Sequence, residues 1–153
     1  MATASPWDLH LEPVTQSLAR FTAGGAAGRA TLAANDGWQV QFRGSRKSVS
    51  VQIARPQSSA PLDDYELVIL YGLEYDAPGT PANPLLFAKT LSIRDGFGWD
   101  EQTLREVVLE ALGILAVVFR LTNADAFAFS ETTEPRRVLP NVARPKVPGR
   151  RRR

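Results

Sequence analysis

The chain has 153 residues, 44% hydrophobic and 22% charged, with a net charge of +2. That is enough apolar content for the core of one domain of about 100–150 residues. It has no Cys and one His, His10, which excludes a disulfide framework, a thiolate metal site, a Cys nucleophile and a His-rich metal site within one chain.

Trp7, Leu11, Val14, Leu18 and Phe21 recur at spacings of three and four. They predict an amphipathic helix over residues 6–22, with Ser5 as N-cap and Pro6 at the first helical position. Pro13 is where this segment would split, leaving 14–22 helical. Residues 23–28 (AGGAAG) then stop the helix as a flexible hinge. Leu32 and Ala34 lead into Asn35-Asp36-Gly37, a hairpin signal. After it, Trp38, Val40 and Phe42 alternate with Gln39, Gln41 and Arg43, the pattern of a strand with one buried face. Gly44 and Ser45 turn the chain beside Arg46 and Lys47. The next strand places Val49, Val51 and Ile53 inward and Ser48, Ser50 and Gln52 outward, ending before Pro56.

A further strand is expected over 65–75, with Tyr65, Leu67, Ile69, Tyr71 and Leu73 on one face and Val68 and Leu70 on the other. Two apolar faces imply a central strand covered on both sides. Residues 76–84 read as a loop. Leu85, Phe87, Leu91 and Ile93 read as the next strand, with Lys89 an exception in its apolar row and a turn at 95–98. A second helix is predicted over 100–121, with Asp100 as N-cap and Leu104, Val107, Val108, Ala111, Leu112, Leu115, Val118 and Phe119 on one continuous face. Glu101 and Arg105 form an i,i+4 pair on it. From 111 to 119 (ALGILAVVF) no side chain is polar, so a second layer is expected there, either the N-terminal helix or another subunit. Residues 124–129 read as a short final strand or a packed strap.

The expected fold is α+β: an N-terminal helix, a four- to five-stranded antiparallel meander with its strands within 30–94, and a long apolar C-terminal helix. These form one domain over 1–130, followed by a disordered basic Pro/Arg tail over 131–153. That tail holds eight basic residues, Arg136, Arg137, Arg144, Lys146, Arg150, Arg151, Arg152 and Arg153, against Glu131 and Glu134. Its net charge is +6, which leaves −4 for the body. Its prolines and few large apolar residues keep it extended, and its charge suits a polyanion.

Little else carries chemistry. His10 has only Asp8, two residues away, as a neighbouring acid and reads as a surface histidine. Asp63, Asp64, Glu66, Glu74 and Asp76 read as solvated ends of one strand that do not converge. Gly24, Gly25 and Gly28 follow a helix and match no phosphate-loop spacing. Arg20, Arg29, Arg43, Arg46, Lys47 and Arg55 are opposed only by Asp36 between residues 20 and 55. Arg43, Arg46 and Lys47 share a hairpin with outward Gln and Ser residues, a face that can track a phosphate backbone. It lacks stacking aromatics, since Trp38 and Phe42 point inward.

No nucleophile–base pair, metal cluster or cofactor loop is readable, so the expected protein is not an enzyme and takes no cofactor. No apolar run approaches the ~18–20 residues of a membrane span and no secretory signal is readable, so the expected location is cytoplasmic. The expected function is that of an oligomer-forming assembly component. It would bind nucleic acid or another polyanion through its basic tail, with Arg43, Arg46 and Lys47 contributing. The alternative is a protein-binding adaptor or chaperone-like module that holds a protein client on Leu112, Leu115, Val118 and Phe119 and on the sheet.

Overall fold

The N-terminal helix starts where Ser5 can cap it. The Ser5 hydroxyl accepts from the Trp7 N–H at 3.2 Å, and the Asp8 carboxylate accepts from the Ser5 N–H at 3.1 Å. In the computed structural model, which describes residues 5–24, 26–77, 84–92 and 98–134, the first turn is 3-10 over Pro6–His10 and α1 follows over Leu11–Thr22. Pro13 does not split the segment. It falls in the first turn of α1, where a missing N–H costs little, and the change of winding occurs just ahead of it.

The sheet is antiparallel throughout, with order β4-β3-β2-β1-β5. Its strands are β1 (Gly28–Ala33), β2 (Gln39–Gly44), β3 (Ser48–Ala54), β4 (Leu86–Ser92) and β5 (Ala128–Thr133). Gly37, at φ +106°, makes the turn between β1 and β2. Strands β1 to β4 form a meander, and β5 returns to the free edge of β1. The alternation expected for β2 and β3 is observed: Val40, Phe42, Val49, Val51 and Ile53 are all fully buried.

The strand expected over 65–75 is instead a helix, α2 (Asp64–Gly72). Asp63 caps it. Its Oδ1 accepts from the Glu66 N–H at 2.8 Å, while Glu66 Oε1 accepts from the Asp63 N–H at 2.9 Å. An acid three residues ahead of Glu, just before an apolar run, is a helix-start signal. In a run without polar residues, periodicity alone does not separate strand from helix. Asp63, Asp64 and Glu66 therefore belong to a helix N-terminus, not to strand ends. The sheet has no central strand covered on both sides.

Helix α3 (Glu101–Gly113) is capped by Asp100, whose Oδ1 accepts from the Thr103 N–H at 2.7 Å. It continues as a π-helical turn over Ile114–Val118, closed by the Phe119 N–H on the Ile114 carbonyl at 3.0 Å. Helix α1 packs along α3 and is tied to it by Arg105, paired with Glu12 and with Glu101, while the π-helical turn that carries most of the apolar run meets α2. The run is not buried all round, because Val117 is 72% exposed.

Beyond α3, a 3-10 turn over Ala124–Ala126 leads into β5. The Glu134 N–H bonds the Ala27 carbonyl at 2.7 Å, so the folded body runs through 134 and a boundary at 130 would cut β5. His10 is no surface residue. It is 2% exposed, and its Nε2 donates to the Ala124 carbonyl at 2.8 Å. Beside it Trp7 meets Phe127 edge-on at 5.2 Å. Gly25, residues 78–83 of the expected loop, Ile93, the turn residues 95–97 and the basic segment 135–153 lie outside the described residues.

Tyr75, just past α2, is fully buried, and its hydroxyl has no hydrogen-bond partner among the described residues. Burial, reinforced by the Glu110 carboxylate, pushes its ionisation well above the ordinary 10.0. The folded state therefore holds the phenolic proton at pH values where the unfolded chain has lost it, and stability falls as pH rises through about 10. Tyr75→Phe should flatten that alkaline limb in urea titrations at pH 8 to 11 while costing little at neutral pH. An unchanged limb would show that Tyr75 ionises freely.

Candidate anion-binding face of the sheet

One face of the sheet carries α1 and α3, and the outward positions of the other face come into register as rows. Thr132, Arg29, Arg43, Ser50 and Thr90 stand opposite one another across all five strands. The next row is Ser130, Thr31, Gln41, Gln52 and Ala88. Neither row holds an acid or an aromatic residue. Two shallow depressions lie side by side here, one lined by Arg43, Ser45, Ser48, Ser50 and Thr90, the other by Arg29, Gln41, Arg43, Ser50 and Gln52. They share Arg43 and Ser50, so hydroxyl and amide groups surround a pair of guanidinium groups.

Arg29 and Arg43 are direct cross-strand partners, an arrangement in which like charges destabilise the sheet. Glu134 offsets this. Arg43 Nη2 is 2.9 Å from its carboxylate, and Arg29 Nη2 is 3.7 Å away. Arg46 and Lys47, exposed in the β2–β3 turn, carry no ion pair among the described residues. That turn lies at the end of the sheet where β5 finishes, since Gly44 is opposite Gly28 and Gly28 is opposite Thr133. The remaining two basic residues of the central group are employed elsewhere. Arg20 pairs with Glu131. Arg55 is buried, donates to the Pro84 carbonyl at 2.7 Å and to the Ala60 carbonyl, and lies 5.7 Å from the Phe119 ring centroid. Burial pushes its guanidinium below the ordinary value.

Of the residues expected at a protein interface, three are part of the core and Phe119 is half-buried against it. Leu112, Leu115 and Val118 are buried in their own chain. Phe119 packs against Trp38 at 5.0 Å and Phe87 at 6.5 Å. Exposed apolar side chains lie at Leu109 and Val117 of α3 and its continuation, and on α2, where Tyr65 is 73% and Val68 68% exposed with Tyr71 one turn further on. Their spacings of three were readable as a helix face only once α2 was known to be helical. Arg136, Arg137, Arg144, Lys146 and Arg150, Arg151, Arg152 and Arg153 are outside the described residues.

Among the described residues no group of three or more His, Asp or Glu is placed to hold a metal ion, and no helix is long and apolar enough to cross a membrane. No protein-family model, curated protein or solved structure matches this chain.

Proposed function

We propose that the protein is a non-enzymatic binder of extended phosphate-bearing chains, single-stranded nucleic acid foremost. In this reading the open face of the sheet and the basic C-terminal segment act as one surface. The observation that carries it is the position of Glu134. The last described residue lies on the Arg29–Arg43 pair, and the basic segment begins at Arg136, two residues further along the sequence. Residues 135–153 hold eight basic residues and no acidic one, which leaves −6 on the rest of the chain. An acidic body with one basic flank confines a polyanion to that flank. The absence of aromatics from the rows favours backbone contact over base stacking, hence sequence-tolerant binding. This reading needs no oligomer.

The test is fluorescence anisotropy with a labelled single-stranded oligonucleotide over a salt series. The full chain should bind with a steep salt dependence. A chain ending at Glu134, which keeps all of β5, should bind at least about tenfold more weakly at low salt. Replacing Arg46 and Lys47 by Ala should reduce the log–log salt slope by about 1.4, near 0.7 for each phosphate contact on a single strand. Absence of binding by the full chain at low salt would overturn the proposal.

The exposed Tyr65 and Val68 favour a second reading, a protein-docking module. It places the contact on α2, and it is separated from the first because it requires no affinity for oligonucleotides.

A further inference from the structure

We infer that Arg29, Arg43 and the adjoining hydroxyl groups form a seat for one phosphodiester group of the bound strand, and that Glu134 fills this seat in the free protein and is displaced on binding. The inference rests on the proposed function and adds a defined position and an internal competitor to it.

Two guanidinium groups held side by side on neighbouring strands repel, and an anion between them offsets that cost. Glu134 supplies it, with both carboxylate oxygens 2.9 Å from Arg43 Nη2 and one of them 3.7 Å from Arg29 Nη2. A phosphodiester offers the same recognition elements: a single negative charge and two unesterified oxygens that accept from guanidinium N–H groups. It also has further oxygens, and Ser50, Thr90 and Thr132 lie in the same row.

The carboxylate is placed to yield. Glu134 follows the last residue of β5, and its backbone is held there by the N–H bond to Ala27. Arg29 and Arg43 are 42% and 57% exposed, so the ion pairs are the weak, solvent-screened kind. The eight basic residues of 135–153 follow immediately. Glu131, three residues earlier, provides the contrast. It sits on the face of β5 that Ala30 occupies on β1, opposite to that of Arg29, and pairs with Arg20 of α1.

The test uses the full chain and the same labelled oligonucleotide. Glu134→Gln keeps the backbone bond and removes the competitor. It should tighten binding by about three- to fivefold, the worth of an exposed ion pair. Glu131→Gln changes the net charge identically and should leave affinity within about 1.5-fold of the parent, because it frees no group on this face. In an Arg43→Ala background the gain from Glu134→Gln should vanish. Equal gains from the two Gln variants, or a gain that persists without Arg43, would overturn the seat while leaving tail-dependent binding intact. No binding by the parent chain would instead overturn the functional proposal and the seat with it. Unchanged thermal unfolding of the Gln variants verifies that the comparison concerns binding alone.

Discussion

Gly28→Val should destabilise the protein by roughly 4 kcal/mol, whereas Gly113→Ala should make it more stable. Gly28 opens β1 and faces α1. A Cβ there would fall inside contact distance of three ring atoms of Phe21, and Phe21 is itself buried at 3% exposure. Its cross-strand partner is Gly44, where a Cβ would lie 3.1 Å from both Leu18 and Phe21. The C-terminal end of α1 thus rests on a pair of glycines. Added volume must either force Phe21 off its rotamer or lift α1, which carries Val14 and Leu18 out of the core. Overpacking by one or two methyl groups costs about 1–3 kcal/mol, and a backbone that cannot yield raises this to roughly 4 kcal/mol. That is a large part of the ~5–15 kcal/mol a domain has. Gly28→Ala should cost less but remain well above 1 kcal/mol, roughly, because its single methyl meets the same ring. Gly113 lies in α3 with open space around it, and Ala there should add about 0.5–1 kcal/mol. Urea midpoints at constant m measure all three. A Gly28→Ala midpoint equal to the parent's would show that α1 is not seated on β1 as described.

Glu110→Ala should cost more than Lys89→Met, although each removes half of the same ion pair. Lys89 sits in the inward row of β4, where the pattern calls for an apolar residue. Its Nζ is 2.7 Å from Glu110 of α3 and 5.4 Å from the ring centroid of Tyr75. The lysine side chain is 14% exposed and the glutamate 30%. Deleting the acid leaves an ammonium group with little water, at a cost of about 2–3 kcal/mol. Deleting the lysine leaves a carboxylate that can turn toward solvent, and Met fills the stem's space, for a cost of about 1 kcal/mol or less. The double variant Lys89→Met/Glu110→Ala should be more stable than Glu110→Ala alone. Chemical denaturation of the four proteins completes the cycle. Equal costs for the two single variants would mean that Lys89 is as well hydrated as Glu110.

What could be read from the chain in advance follows from where each signal resides. β2 and β3 bury one face and wet the other, so alternation alone located them. The caps Ser5 and Asp100 are local and were equally readable. The run over 65–75 carries no polar residue from Leu67 to Tyr71, and the information that made it α2 lay just outside it, in Asp63 and Glu66. β5 was recognised only at its start because all six of its residues are exposed, and a strand that buries nothing leaves no pattern. His10 is buried because its ring finds a carbonyl 114 positions away, which no local rule anticipates. In the candidate site, the outward parity of Arg43 was legible. Its neighbours were not: Arg29 joins it through strand register, and Glu134 through the closure of β5.

That closure has a consequence for synthesis. β1 forms near the start of the chain, yet its outer edge is paired by residues 128–133. Trp7 and His10 likewise bond the carbonyls of Leu121 and Ala124. A nascent chain leaving the ribosome therefore displays an unpaired edge and an unanchored first helix until almost the entire folded body has emerged. Closure of the sheet therefore waits for residues 128–133, which bury almost nothing of their own.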